Sequence, residues 1–489
     1  MRPPVSERTF TSAAIESLIA QLAPLWKSPN LATVFSNCLP NTLDTTVMYH
    51  TSDKDSVPDS FIITGDIPAL WLRDSQNQLM AYLPYALDDP LLGQLIIGAI
   101  FRQAKSIHLD PYANSFNFNA STTTGQDHQG DVRQPPMVPA VFEGKYELDS
   151  LASFLKLSYW HYRYSGLAAL KVFGTGNSWR GAVDAVLKTI ELMTHVSGQE
   201  KDQPYLFGRE TDVATDTLCM QGRHYPGNPQ SGFSRQLFRP SDDAVSLPYN
   251  IPGNAMACVE MGHLLEMLAA LGDETDDSES WTAAAATKAR SVQASICGAL
   301  KSVLAESLSQ SKALPFEVDG YGSAVYMDDA NCPSLLTLPL LGLVGTGNQA
   351  YQRTRKSILS PANPYFYSGQ AGQGIGGPHV GPDMVWPMSI AYRGMTAETE
   401  QEASECLETL LTTTAGTGFM HESFDVNDAT HFSRRWFAWV NGLFGEFVLQ
   451  LVHTHPRLVL KDDDAAIALA QSIVKVPVSL QALRDAPQL

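Results

Sequence analysis

The sequence is short of basic residues and of long apolar runs, and each shortage excludes a class of partner. Lys and Arg number 33 against 51 Asp and Glu, which gives a formal net charge of −18 over 489 residues. Such an acidic surface repels phosphate backbones and anionic lipid. No stretch approaches the length of a membrane span, and Met1 to Ala23 contains no apolar run of signal-peptide length. We therefore expect no nucleic-acid or membrane partner. An intracellular protein is favoured over a secreted one, although a secreted chain without its signal peptide would share these features.

The sequence also lacks the patterns of common metal, nucleotide and nucleophile sites. The six cysteines are scattered, with no CxxC pair and no Cys/His cluster at zinc spacing. Acid-rich loops occur without EF-hand spacing, and neither a G-x-S-x-G element nor a P-loop lysine is present. We expect a protein without a metal or a cofactor, whose cysteines are reduced, buried thiols. Their even number also permits disulfides.

Helical periodicity is the main structural signal that the sequence does contain. One helix is predicted over 435–453 and another over 254–272, because apolar residues recur there at spacings of three and four. Long loops rich in Gly, Pro, Asp and Asn join such stretches, and no linker divides the chain. The sequence predicts one all-α domain over 1–489, a toroid of helical hairpins with the active-site loops at one end. Periodicity alone fits a bundle or a solenoid equally. Weaker helical patterns lie near 12–26, 76–108, 146–164, 178–197, 283–308, 346–358, 397–414 and 463–472.

The segment TGDIPALWLRDS at 64–75 places an arginine and two acids in a Gly/Pro-containing stretch beside Trp71. Arg73 can form two parallel hydrogen bonds to a partner, and Asp74 can accept from paired sugar hydroxyls. The structural alternative is an Arg–Asp pair that caps a helix beginning near Ser75. The density of polar groups beside an aromatic ring favours a binding site.

The segment FRPSDDA at 238–244 contains two adjacent acids, Asp242 and Asp243. Adjacent carboxylates are costly if both are buried and ionised, so one would have a raised pKa and carry the proton that a general acid requires. The alternative is a helix N-terminus, where Ser and Asp side chains cap free N–H groups. The residues alone do not choose between these interpretations, or between the two acids.

The segment GTGFMHESFD at 416–425 places His421 beside Glu422 in a Gly-rich loop, a pair that can form an acid/base site. It is not the HExxH zinc motif, because Asp425 stands where the second histidine would be. A single histidine is more often structural. Glu422 is the stronger candidate because its loop leads into the helix predicted over 435–453.

Three further loops carry Asn, Asp, Tyr and His next to aromatic residues, which suits a polyhydroxylated ligand. The alternative is ordinary turn chemistry, in which Asn and Asp bond their own backbone. The loops cover 112–117, 326–331 and 363–379, and their candidate binding residues are Asn114, Asn117, Asp328, Asp329 and His379.

Taken together, these segments resemble glycoside hydrolase family 125, the exo-α-1,6-mannosidases. The resemblance covers about residues 35–453 and implies an (α/α)6 barrel with long active-site loops. It also implies hydrolysis of terminal, non-reducing mannose with inversion and without a metal. The motifs that carry it are TGDIPALWLRDS at 64–75, DPYANSFN at 110–117, KYELDS at 145–150, FRPSDDA at 238–244, FEVDGYG at 316–322, MDDANCPSLL at 327–336, NPYFYSG at 363–369 and GTGFMHESF at 416–424.

The resemblance assigns roles to particular residues. It implies that Asp242 is the general acid and that Glu422 is the general base that activates water. The expected substrate is a mannose-containing oligosaccharide or N-glycan fragment. The residues expected to hold its terminal mannose are Trp71, Arg73, Asp74, Asn114, Asn117, Asp243, Asp328, Asp329, His379 and His421.

Two other functions are consistent with the sequence. A glucoamylase-like or trehalase-like hydrolase would keep the toroid and act on another α-glycoside. A non-catalytic glycan-binding protein would keep the barrel and bind mannosides without turnover. The presence of both Asp242 and Glu422 argues against the second of these.

Overall fold

The computed structural model describes residues 1–51, 56–119, 130–272 and 281–486. Within these ranges the chain forms 18 α-helices and 14 short strands, so the predicted all-α class is confirmed. The helices are α1 (Ala13–Leu22), α2 (Pro29–Cys38), α3 (Asn41–Thr45), α4 (Leu72–Met80), α5 (Pro90–Leu109), α6 (Leu148–Gly174), α7 (Asn177–His195), α8 (Cys219–Gly222), α9 (Ile251–Gly272), α10 (Trp281–Gln310), α11 (Leu338–Leu341), α12 (Gln349–Ile358), α13 (Pro387–Met395), α14 (Glu400–Thr412), α15 (Ala438–Thr454), α16 (Pro456–Val459), α17 (Asp464–Ile473) and α18 (Val478–Asp485). The strands are β1 (Val47–His50), β2 (Ser60–Ile62), β3 (Leu70–Trp71), β4 (Ser115–Phe116), β5 (Val132–Gln134), β6 (Val141–Glu143), β7 (Leu206–Gly208), β8 (Tyr249–Asn250), β9 (Glu317–Val318), β10 (Ala324–Val325), β11 (Phe366–Ser368), β12 (Gln373–Ile375), β13 (Met384–Val385) and β14 (Phe424–Asp425).

The predicted helices match the observed ones where the apolar spacing is clearest. The stretch predicted over 435–453 is α15, and the stretch over 254–272 is α9. The pattern over 76–108 covers two helices instead of one. Asp89 caps the second of them, accepting from the N–H groups of Leu91 and Leu92, and Pro90 occupies the first helical position.

The longer helices pack side by side in two sets. In the first set, α4 packs against α6 and α15, α6 packs against α9, and α13 packs against α15. The second set lies against the first, with α5 on α6, α10 on α9 and α14 on α13. Burial of apolar surface between the sets stabilises the fold by roughly 25 cal/mol per Å². Trp179, Trp439 and Phe154 are among the largest side chains that are fully buried.

The short strands organise the loops that carry the sequence motifs. Among the described residues they form six small sheets, and every pairing is antiparallel. The sheet of β3, β4 and β6 brings together three motif-bearing segments, those at 64–75, 110–117 and just before 145–150. The pairing of β13 with β14 fixes the segment that follows Glu422. These pairings hold together loops that carry candidate residues.

The cysteines differ in part from the prediction of reduced, buried thiols. Cys258 in α9 and Cys297 in α10 form a disulfide, so the prediction is wrong for this pair. The close packing of α9 on α10 brings the two side chains together. The free cysteines are Cys38, Cys332 and Cys406, which are buried as predicted, and Cys219, which is exposed.

One helix of the described chain, α9, is long and apolar enough to cross a membrane by length and composition. Half of its most apolar window is buried inside the protein, where it packs against α6 and α10. A buried core helix has this composition as well, because it is apolar on most sides.

Candidate active site

A small pocket lies among the loops that carry the motifs. Asp242 and Glu422, which are distant in the sequence, both line it. The other lining residues are Thr64, Ile67, Trp71, Arg73, Asp74, Ser241, Asn331, His379, Trp386, Arg434, Phe437 and Trp439.

Asp242 lies in a tight turn rather than at a helix N-terminus. Phe238 and Ala244 form an antiparallel bridge, and the N–H of Asp242 donates to the carbonyl of Arg239 at 2.9 Å. The next helix begins only at Ile251, so the helix-cap interpretation of this segment is wrong. The φ angle of Asp242 is +65°, in the left-handed region that non-glycine residues rarely adopt. Such conformations are concentrated at functional sites, where the surrounding structure holds them.

Two donors fix the carboxyl group of Asp242 at the pocket wall. Its Oδ1 accepts from Nη2 of Arg73 at 3.0 Å and from Nδ2 of Asn114 at 3.2 Å. Nη1 of the buried Arg73 donates to Glu147 at 2.6 Å and to Asp149 at 3.3 Å. One guanidinium therefore connects the pocket acid to two carboxyl groups of the KYELDS segment behind it.

The neighbouring acids Asp242 and Asp243 do not raise each other's pKa above its usual value, which corrects the electrostatic argument made from the sequence. Burial raises the pKa of Asp242, but the charge of Arg73 and a hydrogen bond from Glu147 outweigh burial and hold that pKa well below its usual value. Burial also raises the pKa of Asp243, and the hydrogen bond and charge of His379 bring it below its usual value. The strongly raised pKa belongs to Glu147, first because it is buried and then because Asp242 lies beside it.

Two residues that follow Glu422 in the chain hold its carboxylate. Oγ of Ser433 donates to Oε2 at 2.8 Å, and Nε of Arg434 lies 3.1 Å from Oε1. A bridge between Phe424 and Phe432 folds the loop back, so that Ser433 and Arg434 return to Glu422. Neither partner is evident from the sequence, because their relation to Glu422 depends on this fold of the loop.

Arg434 also joins two loops at the pocket edge. Its Nη1 donates to Oδ1 of Asp66 at 2.9 Å. Beside this ion pair the ring of Trp436 lies on Gly65, where an added Cβ would come within 2.6 Å of the ring. The φ angle of Gly65 is +137°, which also requires glycine. These four residues are called the loop clasp below.

Asp74 is a buried acid of the pocket lining. Its Oδ2 has no hydrogen-bond donor among the described residues, and Nη2 of Arg73 is 3.5 Å away. Burial raises the pKa of Asp74 to about 6. Within the same described ranges, Nε1 of Trp71 and Nε1 of Trp386 lack an acceptor. Unpaired donors and acceptors at a cavity wall can bind the hydroxyl groups of a sugar.

His379 and Asp243 form an ion pair at the pocket wall, with 3.5 Å between Nδ1 and Oδ2. Burial lowers the pKa of His379, but the hydrogen bond and charge of Asp243 raise it to about 9, so the imidazole is cationic at neutral pH. Oγ of Ser241 donates to Asp243 at 2.8 Å and to Asp329 at 3.2 Å. His379 and Ser241 line the pocket, and Asp243 and Asp329 support them from behind.

The two candidate asparagines lie outside the pocket lining. Nδ2 of Asn114 donates to Glu143 at 2.9 Å and reaches Asp242, so Asn114 acts on the pocket through that acid. Nδ2 of Asn117 donates to the carbonyl of Val141 at 3.4 Å. Direct contact of either asparagine with a sugar stays a prediction.

Asp328 and His421 are also engaged away from the pocket lining. Asp328 accepts from the N–H groups of Leu335 at 2.8 Å and Leu336 at 3.0 Å, so it organises a turn. The ring of His421 is buried and stacks on Phe432, with 3.9 Å between the centroids. Their predicted contacts with a sugar stay predictions. In the part of the chain that the structure describes, no group of three or more His, Cys, Asp or Glu residues is placed to hold a metal ion.

Comparison with known proteins identifies the family. The family described as metal-independent alpha-mannosidase (GH125) matches residues 28–449. The "Meiotically up-regulated gene 157 protein" of Schizosaccharomyces pombe is 43% identical over 472 residues, which cover 94% of this chain and 90% of that protein. A solved structure of a metal-independent alpha mannosidase from Streptococcus pneumoniae, a non-productive complex with alpha-1,6-mannobiose, is 36% identical with a TM-score of 0.77. The superposition covers 90% of this chain and 98% of that chain. The chain therefore belongs to glycoside hydrolase family 125, the metal-independent α-mannosidases.

Proposed function

We propose that the protein is an exo-acting α-mannosidase that removes terminal α-1,6-linked mannose from mannose-containing oligosaccharides or N-glycan fragments, with inversion. The observation that carries this proposal is that Asp242 and Glu422 line one pocket while separate loops and separate partners hold them. The alpha-1,6-mannobiose in the Streptococcus pneumoniae complex supports the linkage.

In the proposed reaction, Asp242 protonates the leaving oxygen and Glu422 takes a proton from the attacking water. Inverting glycosidases keep the two carboxyl groups about 6.5–9.5 Å apart, so that a water fits between one of them and the sugar. Arg73 and Asn114 orient Asp242, and Ser433 orients Glu422 through its hydrogen bond.

Exo action is supported by the form of the pocket. The loop clasp joins the segment at 64–75 to the loop of Glu422 by the Arg434–Asp66 ion pair and the contact of Trp436 with Gly65. Loops joined across one side leave little room for a glycan chain to continue past the terminal sugar. A single terminal mannose is therefore the unit that the pocket accommodates.

The residues that grip this mannose are proposed from the lining of the pocket. Asp74 accepts from sugar hydroxyls, Trp71 and Arg73 form the wall beside it, and His379 adds a positive charge. A hydroxyl left unpaired in such a site costs a few kcal/mol, so these contacts can distinguish mannose from its epimers. Asn114, Asp243 and Asp329 contribute by holding lining residues.

We also propose that the helices form one (α/α)6 barrel and one catalytic domain over 1–489. The neighbour relations support this arrangement, since α15, α4, α6, α9 and α11 follow one another side by side and α13 packs on α15. The helices α4, α9 and α13 are each followed in the chain by a helix of the second set, and α6 is followed by α7, which packs against α5, α6 and α10.

Product analysis with α-1,6-, α-1,2- and α-1,3-linked mannobiose tests the function, with the wild type beside Glu422→Gln. We expect the wild type to release mannose from the α-1,6 isomer and Glu422→Gln to release almost none. Binding without release by the wild type would contradict the enzymatic proposal and leave a glycan-binding protein. Release from glucose disaccharides alone would indicate a glucoamylase-like or trehalase-like specificity.

A further inference from the structure

A buried group of carboxyl groups lies behind Asp242, and the mechanism above does not use it. Arg73 contacts four carboxyl groups: Asp242 at 3.0 Å, Asp74 at 3.5 Å, Glu147 at 2.6 Å and Asp149 at 3.3 Å. The side chains of Glu147 and Asp149 are 0% exposed, whereas that of Asp242 is 22% exposed. If all four acids were ionised, one buried guanidinium would face four negative charges.

The cations next to this group are paired with carboxylates of their own. Lys145 forms salt bridges with Glu143 and Asp216, and Arg209 contacts the same two acids. His379 is paired with an acid at the pocket wall. Because an uncompensated buried charge costs several kcal/mol, the group around Arg73 lowers its free energy by keeping protons.

The contacts within the group identify Glu147 as the place of one such proton. Glu147 and Asp242 both accept from Arg73 and from Asn114, so their carboxyl groups lie side by side, and a buried pair of this kind favours one shared proton over two negative charges. Nδ2 of Asn114 lies 3.2 Å from Oε1 of Glu147 and 3.2 Å from Oδ1 of Asp242, which keeps the pair together. Asp149 is directed to another partner, accepting from Gln236 at 2.9 Å. The raised pKa of Glu147 and the lowered pKa of Asp242 agree with a shared proton that rests on Glu147.

We propose that Glu147 is a positioning residue for the general acid, sharing one proton with Asp242 and keeping it beside the pocket between turnovers. This inference rests on the proposed hydrolytic function. During the reaction the proton of Glu147 moves to Asp242, and Asp242 delivers a proton to the glycosidic oxygen. The bond from C1 to that oxygen breaks with its electron pair on the oxygen, while water adds to C1 and loses a proton to Glu422. Glu422 then releases its proton to the solvent, and the two carboxylates regain one proton from the solvent through the partly exposed Asp242.

The variant Glu147→Gln tests this role, because its amide can still donate to Asp242 but has no proton to transfer. With α-1,6-mannobiose, we expect the basic limb of the kcat–pH profile to move to lower pH by about one unit or more. The reason is that Asp242 alone loses its proton at its own low pKa. With 2,4-dinitrophenyl α-mannoside, whose leaving group needs little protonation, Glu147→Gln should lose much less activity than it loses with α-1,6-mannobiose.

Two further variants serve as controls. Asp149→Asn removes a carboxyl group from the same guanidinium but leaves Glu147 and Asp242 in place. The basic limb of its kcat–pH profile should therefore stay close to that of the wild type. Glu147→Asp retains a carboxyl group and brings the limb back toward the wild-type position. The proposal is overturned if the basic limb of the kcat–pH profile does not move in Glu147→Gln and activity falls equally on both substrates. Glu147 would then only support Arg73. Equal shifts in Glu147→Gln and Asp149→Asn would also overturn it.

Carbon-13 NMR of protein labelled at the glutamate carboxyl carbons detects the proton without turnover. We expect one signal with the shift of a protonated carboxyl group at pH 6 that disappears in Glu147→Asp. Absence of that signal overturns the shared proton even if mannobiose is hydrolysed, and it decides the question if Glu147→Gln does not fold. Presence of the signal in a protein that hydrolyses no mannobiose would overturn the proposed function alone.

Discussion

The two walls of the pocket hold their carboxyl groups in different ways. On the wall of Asp242, one buried guanidinium faces four carboxyl groups. On the wall of Glu422, one guanidinium, that of Arg434, whose side chain is 24% exposed, contacts Glu422 and the exposed Asp66. The first wall has more buried acids than its cation can balance and therefore keeps protons, whereas the second pairs its one buried acid with Arg434. An acid and a base on two faces of one sugar need this difference.

Replacing each pocket acid by its amide gives the largest expected effect and tests the comparison directly. Asp242→Asn and Glu422→Gln each lower kcat for α-1,6-mannobiose by about 10²–10⁴-fold. The two variants differ on 2,4-dinitrophenyl α-mannoside, because its leaving group departs without protonation by the acid. The attacking water still needs a base. Asp242→Asn therefore retains most of its activity there, and Glu422→Gln does not. Steady-state kinetics on both substrates measures this, with thermal melting as the control for folding. The reverse pattern would exchange the roles of the two walls.

The position of Asp74 in the pocket lining predicts the next largest effect, on binding. Replacing it by Asn or Ala removes an acceptor for a sugar hydroxyl, which costs about 1–3 kcal/mol and weakens mannose binding by about 10–100-fold. Titration calorimetry with mannose measures the change, and Asp74→Asn isolates the loss of charge from the loss of volume. Unchanged affinity in both variants would remove Asp74 from the sugar site.

The surplus of acids on the wall of Asp242 predicts how stability depends on pH. Burial raises the pKa values of Asp74 and Asp149 from 3.8 to about 6, and it raises the pKa of Glu147 well above its usual value. The folded state therefore binds more protons than the unfolded chain above about pH 4, so the free energy of unfolding falls as pH rises. We expect these acids to make it about 2 kcal/mol lower at pH 8 than at pH 5.

Denaturant unfolding at the two pH values checks this prediction and compares the two walls. In Asp149→Asn the free energy of unfolding should fall less between pH 5 and pH 8, because this variant lacks one of the acids whose folded-state pKa is raised. Glu422→Gln, on the other wall of the pocket, should leave the decline unchanged. An identical decline in both variants and the wild type would place its origin outside the wall of Asp242.

The smallest expected effect comes from Ser433, one of two groups that hold Glu422. Ser433→Ala loses a hydrogen bond of 2.8 Å to Oε2, while Arg434 keeps its contact with Oε1. A single such bond contributes about 1 kcal/mol, so kcat falls by about fivefold. The basic limb of the pH profile should not move, because Ser433 does not contact the acid wall. A shifted limb would contradict the separation of the two walls.

Local patterns in the sequence were enough for the fold class. Apolar spacing is a property of neighbouring residues, and it located α9 and α15 within a few positions. The turn at Asp242 was less accessible, because a Ser-Asp-Asp run fits both a helix cap and a turn. Only the hydrogen bond of Asp242 to Arg239 and its positive φ decide for the turn.

The chemistry of the site depended more on contacts between distant segments. Asp242 and Glu422 were assigned by family resemblance, since nothing in either segment alone shows that they share a pocket. Arg434 was missed because its partners Glu422 and Asp66 come from two different loops. Glu147 lies in a motif that the sequence analysis noted, but its effect on Asp242 arises only when Arg73 is buried between them.

The configuration of the first sugar released is the most direct test of the whole account. Proton NMR during hydrolysis of α-1,6-mannobiose records this sugar before it mutarotates. A pocket with a proton-holding acid and a separate base predicts that β-mannose forms first and that α-mannose appears only later. If α-mannose forms first, the configuration is retained, and the assignment of Glu422 as a base acting on water is contradicted.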